Sequence, residues 1–132
     1  MASSFIEYKG HGFWSFDSYI EHLLALLAET VGEVPRQEWL NQARTHWLEQ
    51  ASGMFSGWID PRLDDFINSE ERVTTVLYLL DNVTRRQGVT WEVKQTVELL
   101  RSLLEGKLRT EVASPHREYM VQGPQPYKWR RD

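Results

Sequence analysis

Cysteine is absent from the 132 residues of this chain, so disulfides and thiolate metal sites are excluded. The chain also lacks any apolar run near the roughly 20 residues that a membrane-spanning helix needs. Its first residues, MASSFIEYKGHG, have neither the basic segment nor the apolar segment of a signal peptide. These absences fit a reducing compartment, and we expect a cytoplasmic protein without a membrane segment.

Motifs of enzyme chemistry are missing as well. The sequence has no Gly-x-Ser-x-Gly nucleophile motif, and its glycines stand singly rather than in a phosphate-binding loop. No two of the four histidines have the three- or four-residue spacing of a helical metal site. We therefore expect no catalytic residue, no cofactor and no metal site. The histidines are His11, His22, His46 and His116.

The net charge of −4 is unevenly distributed. Residues 115–132 carry four basic and two acidic side chains, a balance of +2, so the other 114 residues carry −6. Nucleic-acid binders obtain most of their affinity from a basic face, so this acidic body argues against nucleic acid as a partner. A basic protein is the partner that such a charge suits.

Residues 38–61, EWLNQARTHWLEQASGMFSGWIDP, organise the rest of the chain. Trp39, Ala43, Trp47 and Ala51 recur every four residues, which places them on one face of a helix. The two alanines allow another helix to approach closely while the two indole rings fill the space beside it. An apolar turn that contains Trp58 follows this helix.

The spacing of apolar residues predicts an all-α, single-domain bundle of about four main helices and one short helix. Residues 1–14 look like an irregular or strand-like lead, and we place the domain at residues 1–114. The first helix is predicted to begin within residues 15–18 and to end near 31, and the second to run from Pro35 to about Ser52. A short helix follows near residues 63–66, the third helix starts at Asn68 or Ser69, and Thr90 caps the fourth.

Residues 115–132 form a basic, aromatic C-terminal arm with three prolines and no helical period. Two alternatives are open: an ordered arm packed through its large apolar side chains, or a flexible tail. We favour partial packing, because four large apolar groups are costly to leave in water together. These four apolar side chains are Tyr119, Met120, Tyr127 and Trp129. Within the arm, residues 118–122 are the only strand candidate in the chain.

Five carboxylates cluster within twelve residues around the predicted short helix. Helix starts account for such residues, and an acidic protein-binding patch is the functional interpretation. Catalysis is disfavoured because adjacent Asp64 and Asp65 diverge by about 100° on a helix. The candidate partner-binding residues are Trp58, Asp60, Asp64, Asp65, Glu70 and Glu71.

The segment His11-Gly12-Phe13-Trp14, residues 19–27 and residues 38–47 resemble small bacterial all-helical proteins. Some of those proteins resemble immunity proteins that accompany polymorphic or contact-dependent toxins. The resemblance covers about residues 11–80, and it implies a cytoplasmic protein that neutralises a cognate toxin by binding it; with the acidic charge of this chain, that partner could be a basic toxin domain. It assigns no catalytic residue.

The leading hypothesis is therefore a non-catalytic protein-binding module, most concretely an immunity-type inhibitor. A second hypothesis is a regulatory or structural helical subunit that self-associates through the Trp39 and Trp47 face. A third is a small enzyme whose site lies between helices, near Glu21, His22 and His46.

Overall fold

The structure, a computed structural model, describes residues 2–108. This part of the chain begins with strands β1 (Ser3–Tyr8) and β2 (His11–Phe16). Helix α1 (Asp17–Thr30) follows directly and leads into a 3-10 turn, Val31–Glu33. The remaining helices are α2 (Glu38–Gln50), the short α3 (Leu63–Phe66), α4 (Glu70–Thr84) and α5 (Trp91–Leu104).

The prediction of an all-α fold was wrong, because the chain begins with a two-stranded antiparallel hairpin that packs against helices. Its register pairs Ser4 with Ser15 and Ile6 with Phe13. Lys9 and Gly10 make the two-residue turn, with φ of 53° and 85°. Positive φ at both turn residues matches the right-handed twist of the strands, so this tight connection closes the hairpin. The fold is therefore mixed, with helices predominating.

Helix α1 lies at the centre of the helical part and packs against α2, α4 and α5. Three of its leucines, Leu23, Leu24 and Leu27, are buried in the core that all these elements share. Ile6 and Phe13 place the inner face of the hairpin in the same core. The hairpin therefore closes one side of a helical cluster that would otherwise expose the apolar face of α1.

The stripe predicted on the second helix is confirmed on α2. Ala43 and Trp47 are fully buried, while Trp39 and Ala51 at the ends of the stripe are partly buried. The guanidinium of Arg72, from α4, stacks 4.7 Å from the centre of the Trp39 ring. Thus one indole of the stripe fills the core and the other is covered by a cation.

Several predicted helix boundaries are confirmed and one is displaced. Ser69 and Thr90 cap α4 and α5, each accepting a hydrogen bond from a backbone N–H three residues on. The second helix begins at Glu38, three residues after Pro35. The predicted C-terminal arm, the strand candidate 118–122 and the domain limit at residue 114 lie outside the described residues.

Candidate functional site

The stretch between α2 and α3, residues 51–62, carries Trp58 and Asp60 of the predicted partner-binding set. We refer to it as the 51–62 loop. It has no regular secondary structure, so its conformation depends on hydrogen bonds to its neighbours. A turn closes within it, where the backbone N–H of Trp58 donates to the carbonyl of Phe55 over 2.7 Å.

Side chains from α2 hold the C-terminal half of the 51–62 loop. The buried indole N–H of Trp47 donates to the carbonyl of Pro61 over 2.9 Å. Two further bonds fix Asp60: its N–H donates to Oε1 of Gln50 over 2.8 Å, and its carbonyl lies 2.7 Å from Nε2 of His46. The helix that fills the core thus also sets the path of the loop that leaves it.

A buried carboxylate holds the middle of the loop from the opposite side. Asp17, at the start of α1, accepts the N–H of Gly57 at Oδ2 over 2.5 Å. Its Oδ1 accepts the hydroxyl of Ser4 over 2.7 Å, and that hydroxyl oxygen accepts the N–H of Ile59 over 3.1 Å. Hydrogen bonds to an ionised group are stronger than neutral ones, so this link ties strand, helix and loop firmly together.

The anchored loop divides its apolar side chains between core and solvent. Ile59 is buried and Phe55 is half-buried against the core. Met54 and Trp58, by contrast, are each 82% exposed. Hydrogen bonds therefore hold the backbone of the loop in place while the side chains of Met54 and Trp58 face solvent.

Two of the predicted acidic residues, Asp60 on the 51–62 loop and Asp65 on α3, are linked through Arg62. Asp60 is exposed, and its Oδ1 accepts the N–H of Arg62 over 2.9 Å. The Arg62 side chain lies 3.9 Å from the carboxylate of Asp65, with both partners largely exposed. Exposed pairs of this kind contribute little, so Asp60 and Asp65 remain accessible to a competing cation.

The other predicted acids lie elsewhere. Asp64 accepts the backbone N–H of Lys9 over 2.9 Å, so it is joined to the hairpin turn. Glu70 lines a cleft of about 540 Å³ between that turn, α4 and the end of α5. Glu71 is exposed on the first turn of α4. The predicted acidic cluster is thus spread over the 51–62 loop, α3 and the first turn of α4.

Tyr8 connects the hairpin to this acidic region. Its hydroxyl donates to the carbonyl of Ile67 over 2.8 Å. Burial raises the pKa of the Tyr8 phenol above its usual 10.0, and the negative charge of Asp64 raises it further. Tyr8 is therefore a neutral hydrogen-bond donor that fixes the hairpin beside α3.

The sequence did not identify Asp17, Ser4 and Gln50 as supports of the loop. Asp17 stands where the first helix is predicted to begin, and nothing local to Asp17, Ser4 or Gln50 indicates a contact with the loop. Met54 belongs to the predicted apolar turn that contains Trp58, and the sequence does not indicate that its side chain is exposed. The structure shows that Met54 faces solvent whereas the adjacent Phe55 packs against the core.

The residues proposed for an inter-helix enzyme site do not form an enclosed group. His22 is exposed on α1, Glu21 is half-buried, and His46 is used to hold Asp60. Among residues 2–108, no three histidine or acidic side chains are grouped so as to hold a metal ion. The face proposed for self-association is also occupied, since Trp47 lies wholly within the core.

No helix within residues 2–108 combines the length and the apolar character required to cross a bilayer. Comparisons with protein-family models, with curated proteins and with solved structures find no match to this chain.

Proposed function

We propose that this chain is a non-catalytic protein-binding module, and in its most concrete form an immunity-type inhibitor that neutralises a bacterial toxin by binding it. The observation that carries the proposal is the 51–62 loop. Its backbone is fixed at Gly57, Ile59 and Asp60, whereas Met54 and Trp58 are 82% exposed.

Fixing the loop before binding favours association. A mobile loop loses conformational freedom when it docks, and each ordered side chain adds to that cost. Here the backbone is held in the free protein by Asp17, Ser4 and Gln50. The favourable free energy of the contacts that Trp58 makes with a partner is then not reduced by the entropic cost of ordering the loop.

Trp58 and Met54 suit a protein partner more than a small molecule. Tryptophan is among the residues that contribute most to protein interfaces, and methionine adapts its shape to the opposing surface. Both side chains project from a loop rather than line a cavity, so they are suited to insert into a pocket of a partner.

The negative charge of this protein supports a basic partner. Asp60 and Asp65 lie on or beside the loop, and the first 114 residues carry a charge of −6. Opposite charge on the partner increases the rate of association and aligns the two surfaces before contact. A basic toxin domain has this property, and an inhibitor of such a domain acts in the cytoplasm of the producing cell.

The test starts from the genes that flank this one. A large secreted toxin encoded immediately upstream supports the immunity role, whereas a metabolic operon counts against it. The purified product of such a neighbour is titrated with the full chain by calorimetry while toxin activity is measured. We expect tight binding, loss of toxin activity, and an affinity that falls steeply as salt screens the acidic surface. Absence of binding, or binding that is insensitive to salt, contradicts the proposal.

A further inference from the structure

The hairpin has a second face that the helical core does not use. Cross-strand partners share a face and successive residues alternate, so Phe5 and Trp14 lie opposite to Ile6 and Phe13. The rings of Phe5 and Trp14 pack with centres 5.4 Å apart. We refer to this side, which also carries Phe16 and Glu7, as the outer face of the hairpin.

Aromatic side chains extend the outer face towards α1. Phe16, opposite Ser3, makes an edge-to-face contact with Tyr19, with ring centres 5.4 Å apart. Phe5, Phe16 and Tyr19 are all partly buried. Four aromatic residues thus lie together, three on the outer face and Tyr19 beside them on α1, and none of the four is fully exposed.

Among the residues of the outer face, Trp14 gives the evidence that another part of the chain packs against this face. It is only 6% exposed, yet it does not belong to the continuous core formed by residues 2–108. Its indole N–H is buried and has no hydrogen-bond acceptor within the described part of the chain. A buried donor without an acceptor is unfavourable, so a backbone carbonyl supplied from outside residues 2–108 would stabilise Trp14 in this position.

We propose that the outer face of the hairpin is the docking surface for this chain's own C-terminal segment, residues 115–132. Leu108, the last described residue, lines the same cleft as Tyr8, Lys9 and His11 of the hairpin. The chain therefore leaves the described part beside the hairpin. Residues 109–114 alone can span roughly 20 Å, which is about the length of a six-residue strand.

The composition of the segment matches the surface. It brings four large apolar side chains to the four aromatic residues at this face. Its balance of +2 meets a body of −6, and Glu7 lies on the outer face itself. Because the segment is joined to the domain by a short connection, its effective concentration at the face is high. A second copy would have to bind without that advantage.

The experiment uses the full chain with a nitroxide spin label. The absence of cysteine means that Gln125→Cys provides a single labelling position. Indole N–H resonances of the tryptophans are recorded with the nitroxide active and then reduced. The Trp14 resonance is assigned by its disappearance in Trp14→Phe. As a matched control, the label is placed at Arg36→Cys, an exposed position beyond the C-terminal end of α1.

With the label at position 125, we expect the Trp14 resonance to lose most of its intensity while that of Trp39 keeps most of its own. With the label at position 36, which α1 separates from Trp14 by about 20 Å, the Trp14 resonance should lose less intensity than that of Trp39. Equal loss at Trp14 and Trp39, or no loss at either, would overturn the proposal. Isotope-labelled chain mixed with nitroxide-bearing, unlabelled chain tests a second copy, and loss at Trp14 in that mixture would also overturn it.

Discussion

The carboxylate of Asp17 accepts the backbone N–H of Gly57 over 2.5 Å, although the two residues are 40 positions apart in the chain. Asp17 is 6% exposed and begins α1, whereas Gly57 lies in an exposed part of the 51–62 loop. A buried charge therefore fixes a loop whose side chains face solvent. This link connects the packing of the domain to the surface that we propose for binding.

Removing that carboxylate should loosen the loop. Asp17→Ala leaves the N–H of Gly57 and the hydroxyl of Ser4 without their acceptor, so we expect a loss of about 2–3 kcal/mol in the free energy of unfolding. Urea denaturation measures the loss, and hydrogen exchange at Gly57 should accelerate. Asp65→Ala is the control, because it removes one exposed ion pair and should change stability by less than about 0.5 kcal/mol. Equal effects of the two substitutions would show that Asp17 does not anchor the loop.

Gly12 permits the close packing of the hairpin. A Cβ at this position would collide with the carbonyl oxygen of Ile6 and would lie 2.8 Å from the Phe5 ring. We expect Gly12→Ala to lower the free energy of unfolding by about 1–3 kcal/mol, since backbone and ring must both shift. At Gly32 a Cβ meets nothing within 4 Å, so Gly32→Ala is the matched control and should be nearly neutral. A stable Gly12→Ala protein would contradict the observed register.

Ionisation of Tyr8 makes the free energy of unfolding depend on pH in the alkaline range. Its pKa is raised in the folded protein, so the unfolded chain loses the phenol proton first and stability falls as pH rises above the ordinary value of 10.0. Tyr8→Phe cannot ionise, but it leaves the Ile67 carbonyl without its donor, at a cost of about 1 kcal/mol near neutral pH. The stability gap between wild type and Tyr8→Phe should therefore narrow with rising pH. Urea unfolding on both sides of the tyrosine pKa checks this, and a constant or widening gap would contradict it.

The helical stripes were predictable from the sequence because burial and periodicity coincide in them. Ala43 and Trp47 repeat at the helical spacing and are fully buried. The hairpin was not predicted, because its second strand is buried over four successive residues, Gly12 to Ser15, and so lacks the alternation that marks a strand. Its turn begins with Lys9 rather than the asparagine or aspartate that commonly indicates a hairpin.

The candidate site was predictable only in its exposed part. Trp58 and the neighbouring acids stand together in the sequence, and a cluster of charge with one aromatic suggests a contact surface. Their supports do not stand together, since Asp17 and Ser4 reach the loop through pairings 40 and 55 positions long. Such pairings follow from tertiary packing and have no local signal. The hydrogen bond from the Lys9 backbone to Asp64, 55 positions away, has the same origin.

Two exposed tryptophans allow the central claim to be tested with a matched pair. Trp58 is 82% exposed on the anchored loop, and Trp91 is 69% exposed at the start of α5. Neither fills the core, so both alanine variants should keep the stability of wild type within about 0.5 kcal/mol. The affinity of each variant for the proposed toxin partner is measured by calorimetry. We predict that Trp58→Ala weakens binding by about 2 kcal/mol or more while Trp91→Ala leaves it unchanged. Wild-type affinity in Trp58→Ala would contradict the assignment of the 51–62 loop as the partner-binding surface.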